Sequence, residues 1–197
     1  MSKKRIFAKE KPFFMTIHPI CCPFSCSAIK ADRLYLSAFP KIERHTLREL
    51  HAAARKGRAE YLAFYEGRKF VGLTYLIVRE NVALLLYFAV NPKLRNNGYG
   101  ASILKSLRER YEGNDLVILI ESIYDACDNK EMRVRRMNFY LRNGLRDTGL
   151  IHSTIDGAAN YILLNTENHF CLESYKALFQ DYPFPTYLSK ISSAPNE

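Results

Sequence analysis

Residues 82–105 read VALLLYFAVNPKLRNNGYGASILK. The opening run, Val82 to Val90, is apolar and rich in Leu, Tyr, Phe and Val, which suits a strand buried on both faces. Asn91-Pro92 ends it, because proline has no backbone donor and disfavours helix in the residue before it. Arg95-Asn96-Asn97-Gly98-Tyr99-Gly100 follows, and Ile103, Leu104 and Leu107 then recur at helical spacing. The order is strand, glycine turn, helix. Such a junction binds anions, since the first turn of a helix has unpaired amides and about half a positive charge. Gly98 and Gly100 have no Cβ, so phosphate oxygens can approach the backbone there. Spacing excludes two other phosphate loops. A P-loop needs Gly-Lys followed by Ser or Thr, whereas Gly100 precedes Ala101-Ser102, and a dinucleotide fingerprint needs a small residue where Ile103 stands.

The Arg-x-x-Gly-x-Gly pattern of Arg95 to Gly100 resembles the acyl-CoA pyrophosphate loop of the GNAT family of N-acetyltransferases, bacterial type. A second segment, Asn138-Phe139-Tyr140-Leu141-Arg142-Asn143-Gly144-Leu145, is similar to that family's FY...GF helix end. With the strand order around them, the motifs cover roughly Asp32 to Asn165. The resemblance implies an α/β fold whose mixed, mainly antiparallel sheet contains a splayed parallel strand pair flanked by helices. That domain is expected over 13–182; the basic residues of 1–12 read as a tail, and Pro183 and Pro185 suggest an extended C-terminal tail, 183–197.

Composition bounds the alternatives. At 197 residues and 48% hydrophobic, the chain can bury a substantial core as one domain. There is no run of about eighteen apolar residues, which argues against a membrane span. The basic start, Met1-Ser2-Lys3-Lys4-Arg5, lacks the apolar centre of a signal peptide, so a cytoplasmic location is expected. Cys21, Cys22, Cys26, Cys127 and Cys171 are odd in number and read as free thiols; Cys21-Cys22-Pro23-Phe24-Ser25-Cys26 lacks a second ligand pair at zinc spacing, and no metal is expected. A net charge of +9 fits either an anionic partner, such as coenzyme A, or a basic soluble surface. Nucleic acid is disfavoured, because the lysines and arginines are dispersed.

Along the chain, Phe13 to Ile17 reads as a first strand, and the resemblance makes Met15 an alternative beginning. An intact mass showing only the longer form would reject that. Leu34, Leu36 and Phe39 suggest a helix from Asp32 until Pro40 stops it; a second helix runs from His45 to Lys56, closed by Gly57. Between them, Phe39-Pro40-Lys41-Ile42-Glu43-Arg44 resembles an FP..ER connection that borders the acceptor site in some relatives; on residues alone it reads first as a helix break with a solvated ion pair. Strands at Glu60 to Tyr65, Phe70 to Arg79 and Val82 to Val90 form an antiparallel meander. After the glycine-turn helix comes Leu116 to Glu121, which a right-handed crossover places parallel to Val82–Val90. A helix over Glu131 to Arg142, strands Arg146 to Thr154 and Ala158 to Leu164 around an Asp156-Gly157 turn, and a helix from Leu172 to Gln180 complete the chain.

The resemblance implies acetyl transfer from acetyl-CoA to a primary amine of a small molecule or peptide, by direct attack, in a monomer or homodimer. It implies that the parallel strands splay beyond Val90 and that Phe88, Ala89 and Val90 offer backbone partners to the pantetheine arm. Arg95, Asn96, Asn97, Gly98, Tyr99, Gly100 and Ala101 would hold the pyrophosphate. Tyr140, whose phenol stays protonated at neutral pH, would protonate the departing thiolate. Arg133 stands where relatives have a coenzyme-contacting asparagine, and Arg136 where they have alanine; either would bind phosphate or sit in solvent with Arg135. A lysine-like amine is neutral only about once in 2,500 molecules at pH 7, a deficit of roughly 4.6 kcal/mol, so a base is expected. Glu121, at the ligand-facing end of its strand, is the first choice, against a carboxylate simply paired with an arginine. Glu121, Asp125, Asp128 and Glu131 make an acidic loop that suits a cationic acceptor or plain solvent. The rival function is a coenzyme A-binding regulatory module without transferase activity.

Overall fold

Long apolar runs separated by brief polar reversals satisfy their backbone donors most directly by pairing with the neighbouring run. The computed structural model describes residues 15–125, 127–155, 159–166, 170–180, 182–184 and 188–194. Its strands are β1 (Met15–Pro19), β2 (Glu60–Glu66), β3 (Lys69–Arg79), β4 (Val82–Val90), β5 (Asp115–Glu121), β6 (Arg146–Thr154), β7 (Asn160–Asn165) and β8 (Leu188–Ser193). They form one sheet in the order β1-β2-β3-β4-β5-β7-β6-β8, antiparallel throughout except for β4 and β5. The basic tail, Phe13 and Phe14 of the expected first strand, and the Asp156-Gly157 turn lie outside the described residues.

Helices α1 (Cys26–Ala38), α2 (Leu47–Arg55) and α5 (Leu172–Ala177) cover one face; α3 (Tyr99–Arg110) and α4 (Lys130–Arg142) cover the other. The strands divide their side chains accordingly. In β2, Tyr61, Ala63 and Tyr65 join the α1–α2 core while Leu62 and Phe64 join the α3–α4 core. Each such buried large side chain contributes about 1.5–3 kcal/mol. Burial on both faces is why these runs read as continuously apolar.

Local chemistry moves several boundaries. The first helix begins at Cys26, not near Asp32, because the Ser25 hydroxyl accepts from the Ala28 amide; its buried stripe starts with the small Ala28 and Ala31. Thr46 caps α2 in a capping box, its hydroxyl accepting from the Glu49 amide while the Glu49 carboxylate accepts from the Thr46 amide. The last helix gives way after Ala177 to a tighter turn with i to i−3 bonds reaching Gln180. The C-terminal stretch, expected to be extended, supplies β8 paired with β6.

Candidate active site

The site begins as a break in the sheet. β4 and β5 pair over Val82–Leu85 and Asp115–Ile118 and no further, although β4 stays paired with β3 as far as Val90. The register against β3 jumps from Tyr75↔Tyr87 to Leu76↔Leu85, so Leu86 is an extra residue, a bulge that bends β4 away from β5. The strands therefore part at Leu86, earlier than the expected point beyond Val90. Between them lies a cleft of about 1380 Å³ that reaches both faces of the sheet.

At the α3–α4 mouth, Asn91 accepts from the Lys93 amide and Pro92–Leu94 forms a 3-10 turn. Asn96 (φ 63°) and Gly98 (φ 80°) then take left-handed conformations, and Gly98 becomes the N-cap of α3. Among the described residues, the amides of Asn96, Asn97, Gly98, Gly100 and Ala101 donate to no protein acceptor. Such a concave row of donors at a helix N-terminus suits a diphosphate. The two glycines have different reasons. Gly98 takes a positive φ, whereas a Cβ on Gly100 would stand 3.1 Å from Phe139 Cζ, so a side chain there would press on the ring that α4 packs against the loop.

Of the residues expected to hold coenzyme, Phe88, Ala89, Val90, Arg95, Asn96, Gly98, Gly100 and Ala101 line the cleft. Asn97 braces the loop, donating to the carbonyls of Leu94 and Arg95. Tyr99 is buried beneath it, its hydroxyl donating to Glu66 (2.7 Å) and accepting from Lys69 (3.0 Å). Arg133 turns to the end of β5, donating to the Ser122 carbonyl at 2.8 Å. Among the arginines of α4 it is Arg136 and Arg142 that line the cleft.

Tyr140 and Glu121 both line the cleft. Tyr140 is 8% exposed, and among the described residues its hydroxyl has no hydrogen-bond partner. Burial pushes the phenol up to about 12, with Arg136 pulling it down. Glu121 lies between two arginines: Arg136 Nη1 at 2.5 Å from one carboxylate oxygen and Arg133 Nη2 at 3.7 Å from the other. Its side chain keeps 32% exposure.

The other mouth, on the α1–α2 face, is where the connection expected to border the acceptor site lies, but its tyrosine wall was not foreseen. There the 3-10 turn Lys41–Glu43 is tied down from below: the Tyr87 hydroxyl donates to the Glu43 carbonyl (2.8 Å) and accepts from the His45 amide (3.3 Å), and Tyr35 donates to the His45 carbonyl (3.0 Å). The His45 ring stacks on Phe184 at 4.0 Å, and its pKa is lowered by burial, with Glu49 opposing. Glu43 also lines the cleft; its carboxyl is raised, first by removal from water, then by Glu121, with Arg136 opposing. The FP..ER connection was the available signal for Glu43. Nothing in the sequence pointed to Tyr87, Tyr161 or Tyr182, which complete this wall.

A model of the acetyltransferase (GNAT) family matches residues 29–144, more than half of the chain. The chain belongs to the GNAT acetyltransferase family. It is thus an acyltransferase of the acetyl-CoA-dependent class. No curated protein matches it in sequence. Among solved structures it is similar to a GNAT-family protein from Bacteroides thetaiotaomicron, with TM-score 0.66 and 23% identity over 84% of this chain and 94% of that one. It is also similar to the ribosomal-protein-S18-alanine N-acetyltransferase of Escherichia coli, with TM-score 0.54 and 17% identity over 80% and 99%. A third is a GNAT acetyltransferase from Elizabethkingia anophelis with acetyl-CoA bound, with TM-score 0.54 and 17% identity over 78% and 97%. These likenesses concern the fold. The GNAT match ends at Gly144, so it includes the glycine loop, Glu121, Tyr140 and Glu43, whereas Tyr161 and Tyr182 lie beyond it.

Proposed function

We propose that the protein transfers an acetyl group from acetyl-CoA to a primary amine of a small molecule or peptide by direct attack. The observation that carries this reading is the continuity of unused donors. The row of loop amides at residues 96–98, 100 and 101 leads into the β4 edge from Leu86 to Val90, which has no strand opposite it, and the edge leads to Tyr140. The loop and Arg95 would hold the diphosphate, while the open edge would pair with the pantetheine amides as a further strand does.

In the transfer, the amine nitrogen bonds to the thioester carbon, the carbon–sulfur bond breaks, and Tyr140 protonates the sulfur. A thiol has a reference pKa near 8.5, so a phenol at about 12 left as phenolate would cost about 5 kcal/mol. The proton shed by the attacking nitrogen offsets that cost, so Tyr140 works as a relay and not as an isolated acid. Glu121, partly exposed despite its arginines, is the proposed base, acting through water. Calorimetry with acetyl-CoA followed by a free-thiol assay over an amine panel tests the reading. Binding with thiol release supports it. Binding without release would make the protein a regulatory module, and no binding by folded protein would end the assignment.

A further inference from the structure

Glu43 sits in the cleft without an assigned task, and its surroundings are specific. Its backbone is clamped by the phenols of Tyr87 and Tyr35 acting at Glu43 and His45, so the turn that presents the side chain is fixed from the protein interior. Among the described residues its carboxylate has no hydrogen bond or ion pair, whereas the other cleft carboxylate, Glu121, is engaged by Arg136 and Arg133. The two carboxylates repel each other and Arg136 only partly relieves Glu43. A cation arriving beside Glu43 would complete that relief.

Two exposed apolar side chains belong to the same cleft, Ile42 next to Glu43 in the chain and Met132 on α4. Ile42 is 94% exposed and Met132 is 53% exposed, and both line the same cleft. Met132 lies one turn before Arg136 on α4, and therefore on the same helical face as the residue that bonds Glu121. The cleft thus offers a charged group of Glu43, Glu121 and Arg136 together with two exposed apolar side chains, Ile42 and Met132. A polyamine or an amino alcohol would leave those two side chains in water; an amine carried on a hydrocarbon group would cover them.

We propose that the acceptor is an amphipathic primary amine whose ammonium is received by Glu43 and whose apolar body lies against Ile42 and Met132. This rests on the acetyl-transfer reading and adds to it the chemical class of the second substrate. Glu43 touches the substrate and holds the nitrogen on the α1–α2 side of the cleft, opposite the thioester. Proton removal stays with Glu121 and water, so the two carboxylates divide binding from base work.

The test is a titration of 2-phenylethylamine, a Phe-Ala dipeptide amide, ethanolamine and spermidine into the full-length protein, with and without coenzyme A, paired with steady-state kinetics. The expected result is binding of 2-phenylethylamine or the dipeptide, with kcat/KM at least tenfold above ethanolamine and spermidine; whichever of the two responds sets the source as small amine or peptide. Glu43→Gln is expected to raise the amine KM about tenfold and leave the acetyl-CoA KM unchanged. Ile42→Ser with Met132→Ser should raise the KM of the apolar amine alone. A preference for spermidine or ethanolamine, or an unchanged amine KM in Glu43→Gln, would overturn the proposal while leaving acetyl transfer standing. Absence of coenzyme A uptake would instead remove the acetyl-transfer reading, and the titration without coenzyme still decides whether Glu43 receives the amine.

Discussion

The two mouths of the cleft are built from different material. At the α3–α4 mouth the functional groups are main-chain amides at the start of α3, set by Gly98 in a left-handed conformation and by Gly100 against Phe139. At the α1–α2 mouth they are side chains gathered from Lys41–Glu43, Tyr87, α4, Tyr161 and Tyr182. A backbone anion site is the same for any ligand bearing the same phosphates, whereas a wall of converging side chains can differ in every relative. The difference teaches where specificity would reside on the proposed reading: the first mouth would hold the common co-substrate and the second would select its partner.

That division can be broken by substitutions confined to one mouth. Tyr140 lies between the two, and Tyr140→Phe keeps the ring and removes the proton. Turnover should fall on the order of a hundredfold to a thousandfold in a free-thiol assay while calorimetric acetyl-CoA affinity stays within about twofold. Unaltered turnover would remove Tyr140 from the mechanism.

Acid should act on the α1–α2 side through a buried histidine. His152 is buried, bonded through Nδ1 to the Tyr175 hydroxyl at 2.7 Å, and burial lowers its pKa to about 4. The rings of Tyr175, Phe179 and Tyr182 continue from it to the cleft wall. At pH above about 6.5 both folded and unfolded chains hold this histidine neutral. As pH falls from there toward 4 only the unfolded chain takes up the proton, so stability is lost across that window, by up to ~3 kcal/mol. Urea unfolding at several pH values, compared with His152→Asn, checks this: the variant should lack that part of the slope.

Smaller effects sharpen the contrast. Gly98→Ala places a side chain at φ 80°, at about 1–2 kcal/mol, and is expected to weaken coenzyme A binding roughly tenfold with no change in amine KM. Thr46→Ala removes the α2 capping box beside His45 and should lower stability by about 1 kcal/mol. Its kinetic effect, about twofold, is expected in the amine KM and not in that of acetyl-CoA. If either variant moved the other substrate's constant instead, the two mouths would not be separable.

Much of this architecture was legible before any coordinates. The span Val82–Val90 and the glycine loop stood out because strand burial, helix start and amide exposure are all written in consecutive residues. Arg136, facing the cleft in place of Arg133, was not readable, since three arginines within one helical turn differ only in rotation about the axis. Pairing of Glu121 with an arginine is a readable alternative to the base role, but only packing of α4 against β5 brings both Arg133 and Arg136 to it. Tyr87 looked like any other aromatic in a buried strand.

The sequence by itself determined the strand–turn–helix that exposes an anion-binding row of amides, because those groups lie within a few bonds of one another and depend only on local backbone geometry. Tertiary structure alone decided where the sheet splits, through one extra residue at Leu86, and which side chains meet across the opening. That Tyr87 bonds the Glu43 carbonyl and that Met132 and Tyr182 line the same cleft depends on how layers pack over long chain separations, and periodicity in a single segment contains no record of its neighbours in space.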